Sequence, residues 1–288
     1  MNECTVCLSF DFDTMSAALF RGQDTPTLLS RGEFGARVGI LRVLDLLKEY
    51  GIRASFFIPG YSADSFPERV RAIKEAGHEI ANHGYLHEPP AQAGGDAEQE
   101  RAILRKGNEA LERAAGVHPV GYRSPSWDLS PHSLRLLREE GFLYDSSLMA
   151  DDFRPYLCRE GDRLNRETGY VMGDETDLVE LPISWILDDF PYFELRPQGS
   201  IMAAPSHVYE IWKGEFDYLY DRVPGGIYTL TMHPQVIGRG HRISMLEQLI
   251  RHMRSHSGVR FATQEEVARE VQPRLIEARG LGESTVTF

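Results

Sequence analysis

The chain has 288 residues, 42% of them apolar, and a formal charge of −12 at neutral pH. That length suits one large α/β domain or two small ones. The acidic balance excludes partners that reward a basic surface, namely nucleic acid and anionic membranes, and no apolar run reaches the roughly eighteen residues of a membrane span.

The start, MNECTVCLSFDFD, has no basic segment followed by a long apolar one, and three cysteines are few. A protein of the reducing cytoplasm is therefore expected. Cys4 and Cys7 form a C-x-x-C, but they sit in a β-prone run. Three extended residues span about 10 Å, beyond the roughly 7 Å a disulfide tolerates, so neither a redox nor a metal role is assigned to them.

Strand-like and helix-like segments alternate along the chain. TVCLSFDFD at 5–13 reads as a strand, followed by a helix with Ile40, Leu41, Leu44 and Leu47 on one face and a stop at Gly51. RASFFIPG is the second strand; Phe66, Val70 and Ile73 mark the next helix. HEIANHG is the third strand, followed by a long helix over about 96–115. PVGYRSPS follows as the fourth, then a helix entered at Ser130-Pro131 with Leu134 and Leu137 inward. FLYDSSLM, LVELPISW and GIYTLTMHP supply strands five to seven. The next helix carries Ile243, Leu246, Leu249 and Met253. VRFAT is one more short strand, and Thr263 with Glu266 makes a capping box for a final helix.

This rhythm means parallel strands with crossover helices, and its number of repeats favours a barrel over an open sheet. A single catalytic domain is expected over 1–272. Residues 151–178, polar and without periodicity, read as an irregular insertion beside the sheet. The tail 273–288 reads as a frayed end or an arm onto a neighbouring subunit.

In β/α barrels the reactive groups come from the C-terminal ends of strands. Those ends carry Asp11-Phe12-Asp13, then His83 and His87, then Arg123-Ser124-Pro125-Ser126-Trp127, then Trp185 and Asp188-Asp189, and last His233-Pro234. Asp11 and Asp13 are two apart, so on an extended chain both face one side, where two carboxylates need a counter-charge. Asp13, His83 and His87 make a His₂-carboxylate set that leaves positions open, as in catalytic rather than structural zinc. Glycine and proline in NHGYLHEP put the histidines on a turn, not on a helix as in HExxH.

The order SFDFD, HGYLH, RSPSW, WILDD, LTMHP resembles the five motifs of the polysaccharide deacetylase family, carbohydrate esterase family four, over about residues 5–265. The resemblance implies a distorted (β/α)₇ barrel. It implies one divalent ion, zinc foremost, on Asp13, His83 and His87, with Asp11 as general base and His233 as general acid. Arg123 would orient the base, and Asp188 or Asp189 would tune the acid. Trp127 and Trp185 are expected to wall the pocket, with Ser124 and Tyr85 as further substrate contacts. A homo-oligomer is implied as well.

Asp-Phe-Asp-Thr replaces the usual adjacent aspartates, and Gly84 replaces the usual hydroxyl residue after the first histidine. HGYLH, RSPSW and HPQVIGRGHR look closer to a branch with cyclic-imide hydrolases, cell-wall deacetylase-like proteins and metal-independent allantoinases. The reading preferred here is a metal-dependent hydrolase of a small linear or cyclic amide or imide. N-deacetylation of an amino sugar in peptidoglycan or a related glycan is the alternative. Intact Asp13, His83 and His87 argue against a metal-independent enzyme, and intact Asp11 and His233 argue against an inactive sugar-binding module. Arg239, His241 and Arg242 form a basic cluster that could receive an anion, with a solvated loop preferred. His207, Tyr209 and Trp212 are left between pocket and subunit contact.

Overall fold

Seven parallel strands form the sheet that carries the site in the computed structural model, which describes residues 3–92, 95–194 and 202–281. In chain order the strands are β1 (Cys4–Asp11), β2 (Ser55–Ile58), β3 (Glu79–Asn82), β4 (Gly121–Tyr122), β5 (Tyr144–Asp145), β6 (Tyr156–Glu160), β7 (Arg163–Asn165), β8 (Gly169–Val171), β9 (Asp174–Glu180), β10 (Ile227–Met232) and β11 (Val259–Phe261). The parallel series runs β10-β1-β2-β3-β4-β5-β9. β6 lies antiparallel on the outer side of β9, and β11 pairs with the start of β1.

The sheet curls until its two ends meet. Among the described residues β9 and β10 do not pair along their length; Asp188, beyond β9, bridges Thr231 near the end of β10, and the Asp189 N–H donates to the Thr231 carbonyl at 3.2 Å. The barrel is thus a distorted (β/α)₇, closed at its C-terminal rim. That closure brings Asp188 and Asp189 beside His233.

Alternation along the strands sorts two cores. Val6, Leu8 and Phe10 join Phe56, Ile58, Ile80 and the surrounding helices. Cys7, Phe57, Ala81 and Tyr144 instead join Val267, Ala268 and Val271 of the final helix, Gln264–Leu281. That helix opens with the expected capping box: Glu266 N–H donates to Thr263 Oγ1 at 3.2 Å, and Thr263 N–H to Glu266 Oε2 at 3.0 Å. Its Glu265 N–H donates to the buried Glu79 carboxylate at 3.0 Å, so the positive end of the helix faces a carboxylate that also accepts from Ser55 and Tyr144.

Three expectations are corrected. The proposed boundary after residue 272 falls inside the final helix. Pro273 removes one backbone donor, but buried Val271, Leu275 and Ala278 hold the helix to its own sheet and Arg279 donates to the Thr176 carbonyl at 2.6 Å. Residues 282–288 lie outside those described. The insertion is not irregular: β6 and β9 form an antiparallel ribbon with a small β7–β8 hairpin. Both faces of that hairpin are exposed, so its polar residues show no alternation. The first long helix buries Ile40, Val43, Leu46 and Leu47, while Leu41 faces outward. A π-helical turn, Gly35–Gly39, leads into it. Gly39 is required there, since a Cβ would lie 2.0 Å from the carbonyl of Pro234, next to His233.

Candidate active site

Each polar strand end is held by its own local chemistry. Asp13 lies two residues beyond β1, and its carbonyl accepts from Ser16 Oγ and Ser62 Oγ, both at 2.7 Å. The turn after β3 is fixed by its flanks. Asn82 Oδ1 accepts the Gly84 N–H at 2.7 Å, and Glu88 Oε2 accepts the Leu86 N–H at 2.6 Å. That turn carries His87 at φ 62°; Thr14, Ser126 and Trp127 are also left-handed, at φ 54°, 56° and 56°. Such non-glycine conformations cost on the order of 1–3 kcal/mol each. All four lie in the loops that carry the site.

Asp13, His83 and His87 come together as expected. His83 Nε2 is 3.6 Å from Asp13 Oδ1, and His87 Nε2 is 3.6 Å from Asp13 Oδ2. His83 donates Nδ1–H to the Arg123 carbonyl at 2.7 Å, which leaves the lone pair on Nε2. The separations are long for hydrogen bonds. They suit atoms sharing one ion, since bonds of about 2.0–2.2 Å at a tetrahedral angle put ligands roughly 3.4 Å apart.

Two further observations fit an ion. Asp13 Oδ1 is buried with no hydrogen-bond partner. Burial pushes the Asp13 carboxyl up despite nearby His233 and His83, and it pushes His83 down to about 4 and His87 to about 3. The imidazoles of His83 and His87 are therefore in the neutral, ligating form at pH 7, and the positive group nearest the Asp13 carboxylate is His233, with Nε2 at 3.7 Å from Oδ2. These three residues could hold a divalent ion; its identity is not fixed by the donors.

Asp11 occupies the other side of the cleft. Its Oδ1 accepts from Arg123 Nη1 at 2.8 Å, while its Oδ2 is 3.9 Å from His83 Nε2 and 3.9 Å from His233 Nε2. Burial alone would raise its pKa, but the Arg123 charge, followed by His83 and His233, holds it below the ordinary value. His233 Nδ1 meets Asp189 Oδ1 at 2.7 Å, and the His233 N–H donates to Asp189 Oδ2 at 3.0 Å. Burial disfavours the imidazolium, yet Asp189 beside it carries the pKa well above the ordinary histidine value. Asp188 is 3.6 Å from the same nitrogen and caps Phe190 N–H instead. The carboxylate bonded to the His233 ring is thus Asp189, not Asp188. The sequence offered both side by side, and the seam decides between them.

Other expected contacts are placed differently. Tyr85 turns to the helices outside, with its hydroxyl on Asp64 at 3.2 Å and Lys106 over its ring. Gly84 allows that turn, which takes Tyr85 out of the site. Ser124 Oγ donates to the Asp128 carbonyl at 3.0 Å, an internal loop bond and not a free substrate donor. Trp127 and Trp185 stack with centroids 4.1 Å apart, linking the loops of Arg123 and Asp189; Trp127 is buried and Trp185 is 44% exposed. Arg242 is buried on the Val236 and Phe193 carbonyls, Arg239 lies over Phe34, and His241 is exposed. The basic cluster therefore does not converge. Trp212 is core, bonded to the Ile186 carbonyl, and His207 is exposed.

Ser9 and Ser146 were missed. Arg123 donates to Ser9 Oγ at 3.0 Å, to the Ser146 carbonyl at 3.1 Å and to Ser146 Oγ at 3.1 Å. Ser9 sits two residues before Asp11, and that period-2 spacing was a usable signal. Nothing local marked Ser146.

A β/α barrel whose strand ends gather a carboxylate, two neutral imidazoles, an arginine-held carboxylate and a carboxylate-held imidazole is the architecture of a hydrolase. Residues 35–144 match the family model described as Polysaccharide deacetylase. A peptidoglycan deacetylase of Helicobacter pylori is 36% identical over 281 residues, covering 92% of this chain and 95% of that one. A peptidoglycan deacetylase-like protein, FGM2, of Gibberella zeae is 32% identical, covering 92% and 85%. The crystal structure of a putative polysaccharide deacetylase from Mycobacterium smegmatis superposes with a TM-score of 0.83 at 38% identity, covering 100% of this chain and 94% of the other. The chain belongs to the polysaccharide deacetylase family, hydrolases acting on carbon–nitrogen bonds.

Proposed function

We propose that the chain hydrolyses a carbon–nitrogen bond in a compact linear or cyclic amide or imide, with a divalent ion, zinc foremost, on Asp13, His83 and His87. One observation carries this reading: the two oxygens of the buried Asp13 carboxylate face two imidazole nitrogens, Oδ1 without a hydrogen-bond partner toward His83 and Oδ2 toward His87, with Asp11 and His233 beside them. The bound ion supplies Lewis acidity toward the substrate carbonyl. Asp11 Oδ1 is held by Arg123, so Oδ2 is the oxygen free to take a proton from the attacking water. His233 Nε2 gives its proton to the departing nitrogen, which leaves poorly without one. Asp189 keeps Nδ1 protonated and turns Nε2 inward. The carbon–nitrogen bond breaks as carbon–oxygen forms, and the proton gained by Asp11 balances the one His233 loses.

A compact substrate is supported by the depth of the site, whose five reactive side chains are all buried, and by its departures from the common first two motifs. The acetamido group of an amino sugar is the second reading, favoured by the peptidoglycan deacetylase name of the Helicobacter pylori relative. The proposal also includes a cytoplasmic homo-oligomer, checked by fractionation and light scattering. Among the described residues no helix is long and apolar enough to cross a membrane.

The test is hydrolysis of succinimide, hydantoin-type rings and N-acetylated chitooligosaccharides by purified protein. Ring opening is expected. Turnover of the acetylated sugars alone selects the second reading.

A further inference from the structure

A second cluster of metal-type donors lies on two outer helices and includes none of the candidate active-site residues. Asp217 projects from the helix Pro205–Arg222, and His252 from the helix Gly240–Arg254, with His256 just beyond the latter's end. One donor atom from each lies within 4.8 Å of the others. We propose that these three residues form a surface site for a transition-metal ion of the zinc class, which would pin the two helices together.

The donors are shaped for this before any ion arrives. His252 Nε2 meets Asp217 Oδ1 at 2.6 Å, while Lys213 takes the other oxygen, Oδ2. His256 Nδ1 lies 2.9 Å from the His252 carbonyl, so this nitrogen carries the proton and Nε2 keeps the lone pair. Fixing one ring nitrogen on a carbonyl is how ligating histidines are commonly oriented. The rings cannot swing freely. Phe216 meets His252 and His256 edge-on at 5.7 and 5.2 Å, and Tyr220 meets His256 at 4.7 Å. All three donor residues are half-buried, which leaves the ion a route in and open positions for water. On binding, the ion replaces the proton between His252 and Asp217, and Lys213 stays on Oδ2.

Two imidazoles and one carboxylate suit zinc, nickel or copper and are poor ligands for magnesium or calcium. The site is independent of Asp13, His83 and His87, so the two can be counted separately.

The experiment titrates chelator-stripped full-length protein with Zn²⁺ against a chromophoric competitor. Wild type, His83→Ala and His252→Ala/His256→Ala are compared. The wild type is expected to take two ions. The double variant should lose one of them, with at least a ~10-fold drop in affinity at that site, and should retain full hydrolysis of whatever substrate the wild type turns over. His83→Ala should keep the outer ion. Zn²⁺ should also raise the melting temperature of His83→Ala but not of a variant carrying all three changes. Asp217→Asn, which keeps the shape, covers the case in which the double variant does not fold; it too should lose the outer ion. Unchanged Zn²⁺ stoichiometry and affinity in both His252→Ala/His256→Ala and Asp217→Asn overturns the proposal, whatever His83→Ala does.

Discussion

Arg123 reaches Asp11 inside the barrel, Nη1 to Oδ1 at 2.8 Å, and neither side chain is more than 2% exposed. The guanidinium also stacks over Phe57 and donates to Ser9 Oγ, the Ser146 carbonyl and Ser146 Oγ. A buried pair of this kind contributes little net stability while intact. Breaking it on one side leaves a charge without a partner.

Arg123→Ala is therefore expected to lower unfolding free energy by about 3–5 kcal/mol. Adding Asp11→Asn should restore part of that loss. Arg123→Lys keeps the charge but not the fork, and should fall between. Urea unfolding of wild type, Arg123→Ala, Asp11→Asn and the double variant as a cycle measures the coupling; an additive result would show that Asp11 does not depend on Arg123.

The bond from Asp189 to His233 predicts a pH signature. With Asp189 in place the imidazolium pKa is raised, so the acid form survives to high pH and is lost only as pH rises through that value. Asp189→Asn should move this loss to lower pH and reduce kcat by about 10²–10⁴. Asp188→Asn, which takes away a nearby charge but neither the ring bond nor the acceptor for the Phe190 N–H, should leave the limb closer to wild type. Profiles of kcat/KM for both variants decide the matter. An unshifted basic limb in Asp189→Asn would mean that another group is the acid.

Chelation should abolish hydrolysis, and Zn²⁺ or another transition ion should restore it. His83→Ala and Asp13→Asn should each resist rescue at ion levels that saturate wild type. Activity that persists after exhaustive chelation, with no metal found by mass spectrometry, removes the ion from the reaction.

Asp145 and Glu180 are paired by strand register, at the ends of β5 and β9. Glu180 accepts the N–H groups of Ser147 and Leu148, and Ser147 Oγ in turn accepts the Ser124 N–H, so this pair supports the arginine loop. Burial pushes the Asp145 carboxyl up to about 6 and raises Glu180 as well. A folded-state pKa above the unfolded value means the native state holds the proton more tightly, and stability is lost as pH rises from about 4 toward 6 and beyond. Asp145→Asn should flatten that fall by on the order of 1–3 kcal/mol between pH 5 and 7. Urea midpoints at the two pH values test it; an equal fall in wild type and variant would refute the raised Asp145 pKa.

By itself the sequence determined the seven parallel strands of the barrel, the capping box at Thr263 and the identity of the polar strand ends, though not the ribbon and hairpin of residues 156–180. Those follow from local rules: alternation, helix period and the residues that stop each element. It also put Asp11 and Asp13 on one side, because a two-residue step on an extended chain does so in any fold. Tertiary structure alone decided what depends on distance between remote segments. The seam between Asp188 and Thr231 chose Asp189 for His233, since both aspartates have the same local pattern. Packing on the sheet chose Val43 and not Leu41 for the buried face of the first long helix, and the turn at Gly84 sent Tyr85 outward. Ser146 became an arginine ligand only because β5 lies beside β4 in the closed sheet. Short-range geometry is written in neighbouring residues, whereas the meeting of residues on different strands, 23 positions apart for Arg123 and Ser146 and 44 for Asp189 and His233, is set by how the sheet closes.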